Sequence, residues 1–227
     1  MRIFRDRRDA GRALAEALAD EASKHPVVLG LARGGLPVAA EVAAALGAPL
    51  DVFVVRKLGV PWQPELAMGA IASGGVLVRN EEVLAGFAGA EEALETVRAR
   101  ETAELEARER RYRGGRAPLA VAGRHVIVVD DGLATGSSML AAVRALRQAG
   151  AASVVVAVPV GPPDTCRRIA AACDRLVCLE QPAWFAAVGQ WYEDFSQTED
   201  EEVAALLGSS RPPAQEETRG STPGAKG

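Results

Sequence analysis

The sequence predicts an α/β protein built on a doubly wound, mainly parallel sheet. Short runs rich in Val, Leu and Ile alternate with stretches whose apolar residues recur at helical spacing. Two of these runs pass directly into loops rich in glycine, as strands of parallel sheets do at their carboxyl ends. Alternating strands and helices of this kind form a sheet with helices on both faces. The predicted core strands are residues 27–31, 50–55, 126–129, 153–158 and 175–179.

The first elements form a predicted βαβ unit. Asp6 or Asp9 can cap a first helix, which ends before Pro26. The strand at 27–31 turns into a helix that should stop at Gly47, and the strand at 50–55 follows. A right-handed crossover is expected between the two strands.

Residues 58–118 interrupt this alternation. Short runs at 67–72 and 76–78, joined by a Gly-Gly turn, predict a β-hairpin. A charge-rich helix over about 91–113 follows, with Glu and Arg spaced four residues apart for ion pairs. Its few large apolar residues indicate that it is not a core helix, so we expect an excursion from the sheet.

The C-terminal part continues the fold and then changes character. After the strand at 175–179, residues 180–208 concentrate the aromatic side chains and end in a short helix near 203–207. From Ser209 the chain is rich in Pro, Gly, Ser and Glu, which predicts a disordered tail over 209–227. We therefore expect a single domain over residues 1–208.

Composition excludes several classes of partner. The formal net charge of −4 argues against a nucleic-acid-binding surface. No apolar run is long enough to cross a membrane, and the N-terminus lacks a secretory signal, so we expect a cytoplasmic protein. The three cysteines, Cys166, Cys173 and Cys178, show no metal-ligand spacing and should be reduced.

Residues 126–138 carry the clearest chemical signal. Val126-Ile127-Val128-Val129 predicts a buried strand, and the loop after it opens a helix. Gly132 and Gly136 permit a tight turn, and backbone N–H groups and hydroxyls at a helix start can hold a phosphate dianion. The carboxylates of Asp130 and Asp131 can accept from vicinal hydroxyls or face a hydrated Mg²⁺. A sugar phosphate would satisfy both halves of this loop.

This loop resembles the signature of type I phosphoribosyltransferases, which bind 5-phosphoribosyl 1-pyrophosphate (PRPP). The resemblance implies that Asp130 and Asp131 hold the ribose hydroxyls and act as catalytic residues. It implies Mg²⁺ as cofactor, held mainly through PRPP and in part by these two acids. The residues expected to bind the 5-phosphate are Gly132, Leu133, Ala134, Thr135, Gly136, Ser137 and Ser138.

A second loop resembles the pyrophosphate loop of the same family. Ala32, Arg33, Gly34 and Gly35 follow the strand at 27–31, and the resemblance implies a non-proline cis peptide between Ala32 and Arg33. Arg33, expected to be catalytic, offers charge-assisted hydrogen bonds to pyrophosphate. Lys57, beyond the strand at 50–55, is expected to be a further catalytic, pyrophosphate-binding cation. The insertion at 58–118 corresponds in position to the family's mobile flap and a helical addition.

The acceptor stays open. Ala134 stands where 6-oxopurine enzymes usually have Asp, whereas the Arg-Gly-Gly-Leu run resembles xanthine-guanine enzymes. The family builds a hood over the base from its terminal segment, here 180–208, so Trp184 and Phe185 are the first candidates for base binding. The resemblance thus implies transfer from PRPP to a nitrogenous base or related amine, in a homodimer. The alternative is a regulatory PRPP or nucleotide sensor on the same fold.

Overall fold

The structure, a computed structural model of the chain, describes residues 2–209. Helix α1 (Arg7–Ala17) begins at Asp6, whose side chain accepts from the N–H of Asp9 at 2.7 Å. The predicted tail over 209–227 lies outside the described residues except for Ser209, which ends the last helix.

Five parallel strands form the main sheet. They are β1 (Val27–Leu31), β2 (Leu50–Phe53), β6 (His125–Val129), β7 (Ser153–Val160) and β8 (Arg175–Glu180), in the order β2-β1-β6-β7-β8. β1 therefore lies beside β6, with Gly30 opposite Val129. The strand order reverses between β1 and β6, which is where open α/β sheets bind ligands.

Helices cover both faces of this sheet, as predicted. α2 (Gly35–Leu46), α1 and α7 (Asp200–Ser209) pack on the face that carries Val28 and Ile127. α5 (Ser137–Gln148) and α6 (Pro163–Ala170) pack on the face that carries Val126 and Val128. Successive strand residues thus enter opposite cores, so the strands are apolar throughout. The doubly wound α/β prediction is confirmed.

The insertion contains a second, antiparallel sheet of three strands. β3 (Val55–Val60), β4 (Gln63–Ala72) and β5 (Val76–Arg79) lie in the order β3-β4-β5. The predicted hairpin corresponds to β4 and β5, whose connection uses Gly74 and Gly75 at positive φ. β3 was not predicted, so the hairpin interpretation was incomplete.

The predicted strand at 50–55 is in fact divided between the two sheets. Val54 breaks it, because its N–H donates to the Ser73 hydroxyl at 2.8 Å and its carbonyl accepts from the Ser73 N–H. The apolar run at 52–55 conceals this change of partner, since it continues across the break. Arg56 and Lys57 therefore lie inside β3 and not in a loop after the sheet.

The charged helix α4 (Ala90–Arg113), which follows the short α3 (Glu81–Leu84), does contribute to the core. Leu94, Val97 and Leu105 are buried in the same apolar cluster as β3 and β4 residues. The expectation that this helix lies outside the core was wrong, because one narrow stripe of apolar side chains is enough to pack the helix against the core. In the described part of the chain, no helix is both long and apolar enough to cross a bilayer.

Candidate functional site

The two glycine-bearing loops meet at the carboxyl edge of the main sheet. The first, residues 32–35, follows β1, and the second, residues 130–138, follows β6. Since β1 and β6 are hydrogen-bonded neighbours, the loops leave the sheet side by side. The peptide between Ala32 and Arg33 is cis, as the resemblance implies.

Gly34 and Gly35 permit the contact between these loops. A Cβ on Gly34 would lie 2.1 Å from Oδ2 of Asp131. A Cβ on Gly35 would lie 2.6 Å from the carbonyl of Val129 and 3.0 Å from Cα of Asp130. No side chain fits at either position without displacing the acids, so the pair of glycines brings the Arg33 loop against the acid pair.

Both members of the acid pair are closely surrounded by protein. Burial, and then repulsion from Asp131, raises the pKa of Asp130 well above its ordinary value. Burial likewise raises the pKa of Asp131, and the nearby Arg7 guanidinium only partly offsets this. Oδ1 of Asp130 accepts from the N–H of Asp131 at 2.9 Å, whereas its Oδ2 accepts from no group in residues 2–209. That oxygen is available to a ligand hydroxyl or a cation.

Arg7 connects the acid pair to the C-terminal segment. Its Nε donates to Oδ2 of Asp131 at 2.8 Å, and its Nη1 donates to the carbonyl of Ser196 at 2.6 Å. The guanidinium also lies 4.0 Å from the ring centroid of Phe195. The hydroxyl of Tyr192 donates to the carbonyl of Asp131 at 2.6 Å. One helix and the aromatic segment thus fix the backbone and side chain of Asp131 together.

The segment 132–138 wraps the start of α5. Gly136 has φ 71° and a Cβ there would meet Thr165 at 2.6 Å. The backbone N–H groups of Thr135 and Gly136 donate to no other group in residues 2–209. Unpaired N–H groups at a helix start form an anion-binding concavity, which matches a phosphate.

Two side chains of helix α6 donate hydrogen bonds to this segment. The Thr165 hydroxyl donates to the carbonyl of Ala134 at 3.0 Å, and Arg168 donates to the carbonyl of Thr135. These bonds engage two consecutive carbonyls of the segment. The N–H groups of Thr135 and Gly136, which have no acceptor within residues 2–209, remain free for a ligand.

Arg33 reaches the C-terminal helix. Its Nη1 lies 3.5 Å from Oδ1 of Asp200 and 3.9 Å from Oε2 of Glu199. About one-third of the Arg33 side chain remains exposed, at 32%. The predicted pyrophosphate cation therefore has internal carboxylate neighbours that the sequence did not reveal.

The other predicted cation lies on the second sheet. Lys57 is about half exposed and pairs with Glu65 across the β3–β4 connection at 3.1 Å. Its neighbour Arg56 is held by Glu101 of α4. No contact in the described residues joins Lys57 to the acid pair, so its role stays a prediction.

The predicted base-binding aromatics differ from each other in surroundings. Trp184 is 91% exposed, and Phe185 stacks on the buried Trp191 with 6.5 Å between ring centroids. The rings that contact Asp131 or its partner Arg7 are instead Tyr192 and Phe195. Sequence reasoning placed Trp184 and Phe185 first, because they lie nearest the last core strand. It had no signal for Tyr192 or Phe195, since their contacts reach residues far away in the chain.

Metal ligation by protein alone has little support. Within residues 2–209, no three or more His, Cys, Asp and Glu side chains converge as metal ligands. Two carboxylates at one sheet edge are nevertheless the hard oxygen ligands that Mg²⁺ accepts alongside phosphate oxygens. The pair fits an ion shared with a bound phosphorylated ligand.

Comparisons with known proteins identify the family of the chain. Residues 5–196 match the family described as phosphoribosyl transferase domain. A Mycobacterium tuberculosis protein provisionally named a phosphoribosyl transferase is 52% identical over 207 residues, which is 91% of this chain and 47% of that protein. The chain thus spans about half the length of that relative. An adenine phosphoribosyltransferase of M. tuberculosis is 34% identical over 158 residues, covering 70% of this chain and 58% of the enzyme.

A solved structure supports the fold in the same way. The crystal structure of a protein from Thermus thermophilus is 49% identical and superposes with a TM-score of 0.82, over 91% of this chain and 98% of that one. The family match extends across the two loops and the aromatic rings up to Phe195. The chain belongs to the phosphoribosyl transferase family.

Proposed function

We propose that the protein transfers a 5-phosphoribosyl group from PRPP to a nitrogenous base or related amine and releases pyrophosphate, with Mg²⁺ as cofactor. The observation that carries this proposal is the contact between the two loops. Gly34 and Gly35 lie against Asp131 and Asp130, and the anion-binding segment begins directly after the acids. A sugar between a phosphate and a pyrophosphate needs binding groups in this order.

Each part of PRPP has a candidate partner. The acids Asp130 and Asp131 would accept from the ribose hydroxyls, and residues 132–138 would hold the 5-phosphate through backbone N–H groups. Arg33 and the backbone of 32–35 would hold the pyrophosphate, with Lys57 as a further cation. The 5-phosphate assignment rests on the N–H groups of Thr135 and Gly136, which are unpaired within residues 2–209.

The reaction would proceed mainly by positioning and electrostatics. As the bond between ribose C1 and pyrophosphate breaks, positive charge develops on the sugar and negative charge on the leaving group. The carboxylates stabilise the former and Arg33 the latter, while the fixed ribose and phosphate limit the motion of C1. Placement of this kind can lower a barrier by up to about 7–11 kcal/mol. The scheme requires no side-chain nucleophile.

Mg²⁺ fits the acid pair as part of this scheme. When bound, the ion would neutralise pyrophosphate charge and lower the cost of keeping Asp130 ionised. The carboxylates themselves would orient the ion and the ribose hydroxyls, since one oxygen of Asp130 has no donor within residues 2–209.

The acceptor would bind beneath the aromatic segment. Trp184 and Phe185 remain candidates for stacking on the base. Tyr192 and Phe195 are further candidates because they lie beside Asp131 and Arg7. The adenine phosphoribosyltransferase relative supports a base as acceptor, and Ala134 removes the carboxylate expected of a 6-oxopurine enzyme. We include a cytoplasmic location and a homodimer in the proposal, as the family resemblance implies.

The test is pyrophosphate release from PRPP and Mg²⁺ with a panel of free bases and small amines. Wild-type protein should release pyrophosphate with at least one acceptor, and chelation of Mg²⁺ should stop it. Asp131→Asn should lower kcat/KM for PRPP at least about tenfold, or about 1.4 kcal/mol. Asp164→Asn is the matched control, because Asp164 is an exposed carboxylate that pairs with Arg167 on the outer surface of α6.

A sensor function is the second candidate. It is favoured by the internal partners of the site, since Arg7 engages Asp131 and Asp200 approaches Arg33 in the free chain. Calorimetry separates the two functions. Tight PRPP binding without pyrophosphate release from any acceptor would support the sensor, and absence of PRPP binding would contradict both.

A further inference from the structure

A cluster of groups that can bind anions lies where the Arg33 loop, α4 and α7 meet. Arg33 comes from the loop after β1, and Arg111 and Tyr112 come from the last turn of α4. All three converge on one carboxylate, that of Asp200 at the start of α7. The ring of Tyr112 packs in the apolar core, whereas its hydroxyl belongs to the polar cluster around Asp200. Arg33 connects that cluster to the predicted pyrophosphate loop.

The donors around the Asp200 carboxylate are arranged as they would be around a bound anion. The Tyr112 hydroxyl donates to Oδ1 at 2.9 Å, Arg33 lies 3.5 Å from the same oxygen, and Arg111 donates to Oδ2. Tyr112 is almost fully buried, with 1% of its surface exposed, so its hydroxyl has little access to water. Without Asp200, the buried Tyr112 hydroxyl would need another hydrogen-bond acceptor.

We propose that Arg111 and Tyr112 complete the pyrophosphate subsite with Arg33, and that Asp200 occupies this subsite as an internal competitor. The inference deepens the proposed function and rests on it. In the free protein the Asp200 carboxylate stands in for pyrophosphate oxygens. Pyrophosphate, either free or as part of PRPP, then displaces it and binds the same three side chains.

Displacement would require only a local movement. Val203 and Leu207 anchor the body of α7 in the core, whereas Asp200 is its first residue and follows the exposed Glu199. Thr198 is also buried, so the movement is confined to residues 199–202, between Thr198 and Val203, while the rest of the helix stays packed. Glu199, 3.9 Å from Arg33, would leave with Asp200 and reduce repulsion toward the ligand.

The alternative is that these contacts serve only to attach α7 to α4. Such a structural role would affect thermal stability when Asp200 is changed. It would leave the affinity for pyrophosphate unchanged or lower it. The direction of the change in affinity therefore separates the two roles.

The experiment measures inorganic pyrophosphate binding to the full chain by calorimetry, in Mg²⁺ and without an acceptor. Asp200→Asn should bind about tenfold more tightly than wild type, because an internal competitor lowers apparent affinity in proportion to its occupancy. Glu202→Gln, an exposed acid in the same turn of α7, should match wild type. Adding Arg111→Gln to Asp200→Asn should abolish the gain, whereas adding Arg110→Gln, a neighbour paired with Glu106, should preserve it.

Hydrogen exchange of the wild-type protein gives a second measurement that depends on no variant. The amides of Val203 and Ala204, whose acceptors are the carbonyls of Glu199 and Asp200, should exchange faster with pyrophosphate bound, and amides of residues 206–209 should not change. The proposal is overturned if Asp200→Asn binds no more tightly, if the gain survives loss of Arg111, or if the amides of Val203 and Ala204 exchange no faster with pyrophosphate bound. Failure of the proposed function would appear separately, as absence of pyrophosphate release from PRPP with every acceptor.

Discussion

Asp130 combines a structural cost with a proposed binding role. Its carboxyl group has a raised pKa because burial and the neighbouring Asp131 disfavour its charge. The folded protein therefore retains a proton that the unfolded chain releases above about pH 4. Stability contributed by this group is present at low pH and is lost as pH rises toward the folded-state pKa. A ligand that supplies hydroxyl donors or a cation would offset this cost.

Asp130→Asn should consequently stabilise the free protein at alkaline pH and impair PRPP binding. We expect equal melting temperatures near pH 4 and an advantage for the variant that grows with pH, reaching at least about 2 °C at pH 8. PRPP affinity should fall at least about tenfold, since the amide offers one acceptor and no charge. Thermal melts from pH 4 to 9, with PRPP calorimetry at pH 8, test this. A pH-independent difference in melting temperature would show that burial of the Asp130 charge is unimportant.

At the scale of elements, α1 links the acid pair to the aromatic segment through Arg7. Arg7 and Asp131 are both largely buried, with 12% and 14% of their side chains exposed. Arg7 lowers the pKa of Asp131, opposing the larger effect of burial. It also holds Ser196 and Phe195, so one side chain orients the carboxylate and the segment above it. We expect Arg7 to be a positioning residue.

Arg7→Gln should therefore shift the pH dependence of catalysis as well as its rate. Without the guanidinium the pKa of Asp131 should rise further, so the acidic limb of the kcat/KM profile should move to higher pH. At pH 7 we expect at least about a tenfold loss in kcat/KM for PRPP. Arg8→Gln provides the control, because Arg8 is exposed and faces Glu41 on α2. A loss of rate with an unshifted profile would limit Arg7 to a structural role.

The elements also show why parts of the site were predictable from sequence. The loops after β1 and β6 were found because a buried strand followed by glycine and hydroxyl residues is a local pattern. β3 was missed because Val54 changes partner inside an unbroken apolar run. Arg7 was missed because it meets Asp131 across 124 residues of sequence. Asp200 was missed for the same reason, since its contact with Arg33 spans 167 residues.

Across the whole molecule, the two edges of the main sheet have separate roles. The proposed site lies after the carboxyl ends of β1 and β6, whereas a buried charge cluster lies at the amino end of β6. Glu21 has no exposed side-chain surface and is hydrogen-bonded to Lys24, His125 and Arg175. A strand of five residues separates the two edges by roughly 13 Å. Changes at the cluster should therefore affect folding without touching the site.

The pH dependence of this cluster runs opposite to that of Asp130. Burial alone would raise the pKa of Glu21, but the hydrogen bonds from Lys24, His125 and Arg175 outweigh it and lower the pKa. The stability that Glu21 contributes is therefore present above its ordinary pKa of 4.5 and is lost as pH falls through the folded value. Acid should therefore weaken the amino edge of the sheet, because it protonates Glu21. At the same pH Asp130 is already protonated and no longer destabilises the fold.

Glu21→Gln should lower stability at pH 7 by about 1–3 kcal/mol, because it leaves charged donors around a neutral buried group. That loss corresponds to about 2–4 °C in melting temperature for each kcal/mol, and the difference from wild type should shrink below about pH 4.5. PRPP affinity should not change. Asp20→Asn is the control, because Asp20 pairs with the same Arg175 from an exposed position and should cost less than about 1 kcal/mol. Reduced PRPP affinity in Glu21→Gln at temperatures where it remains folded would mean that the two edges of the sheet are coupled.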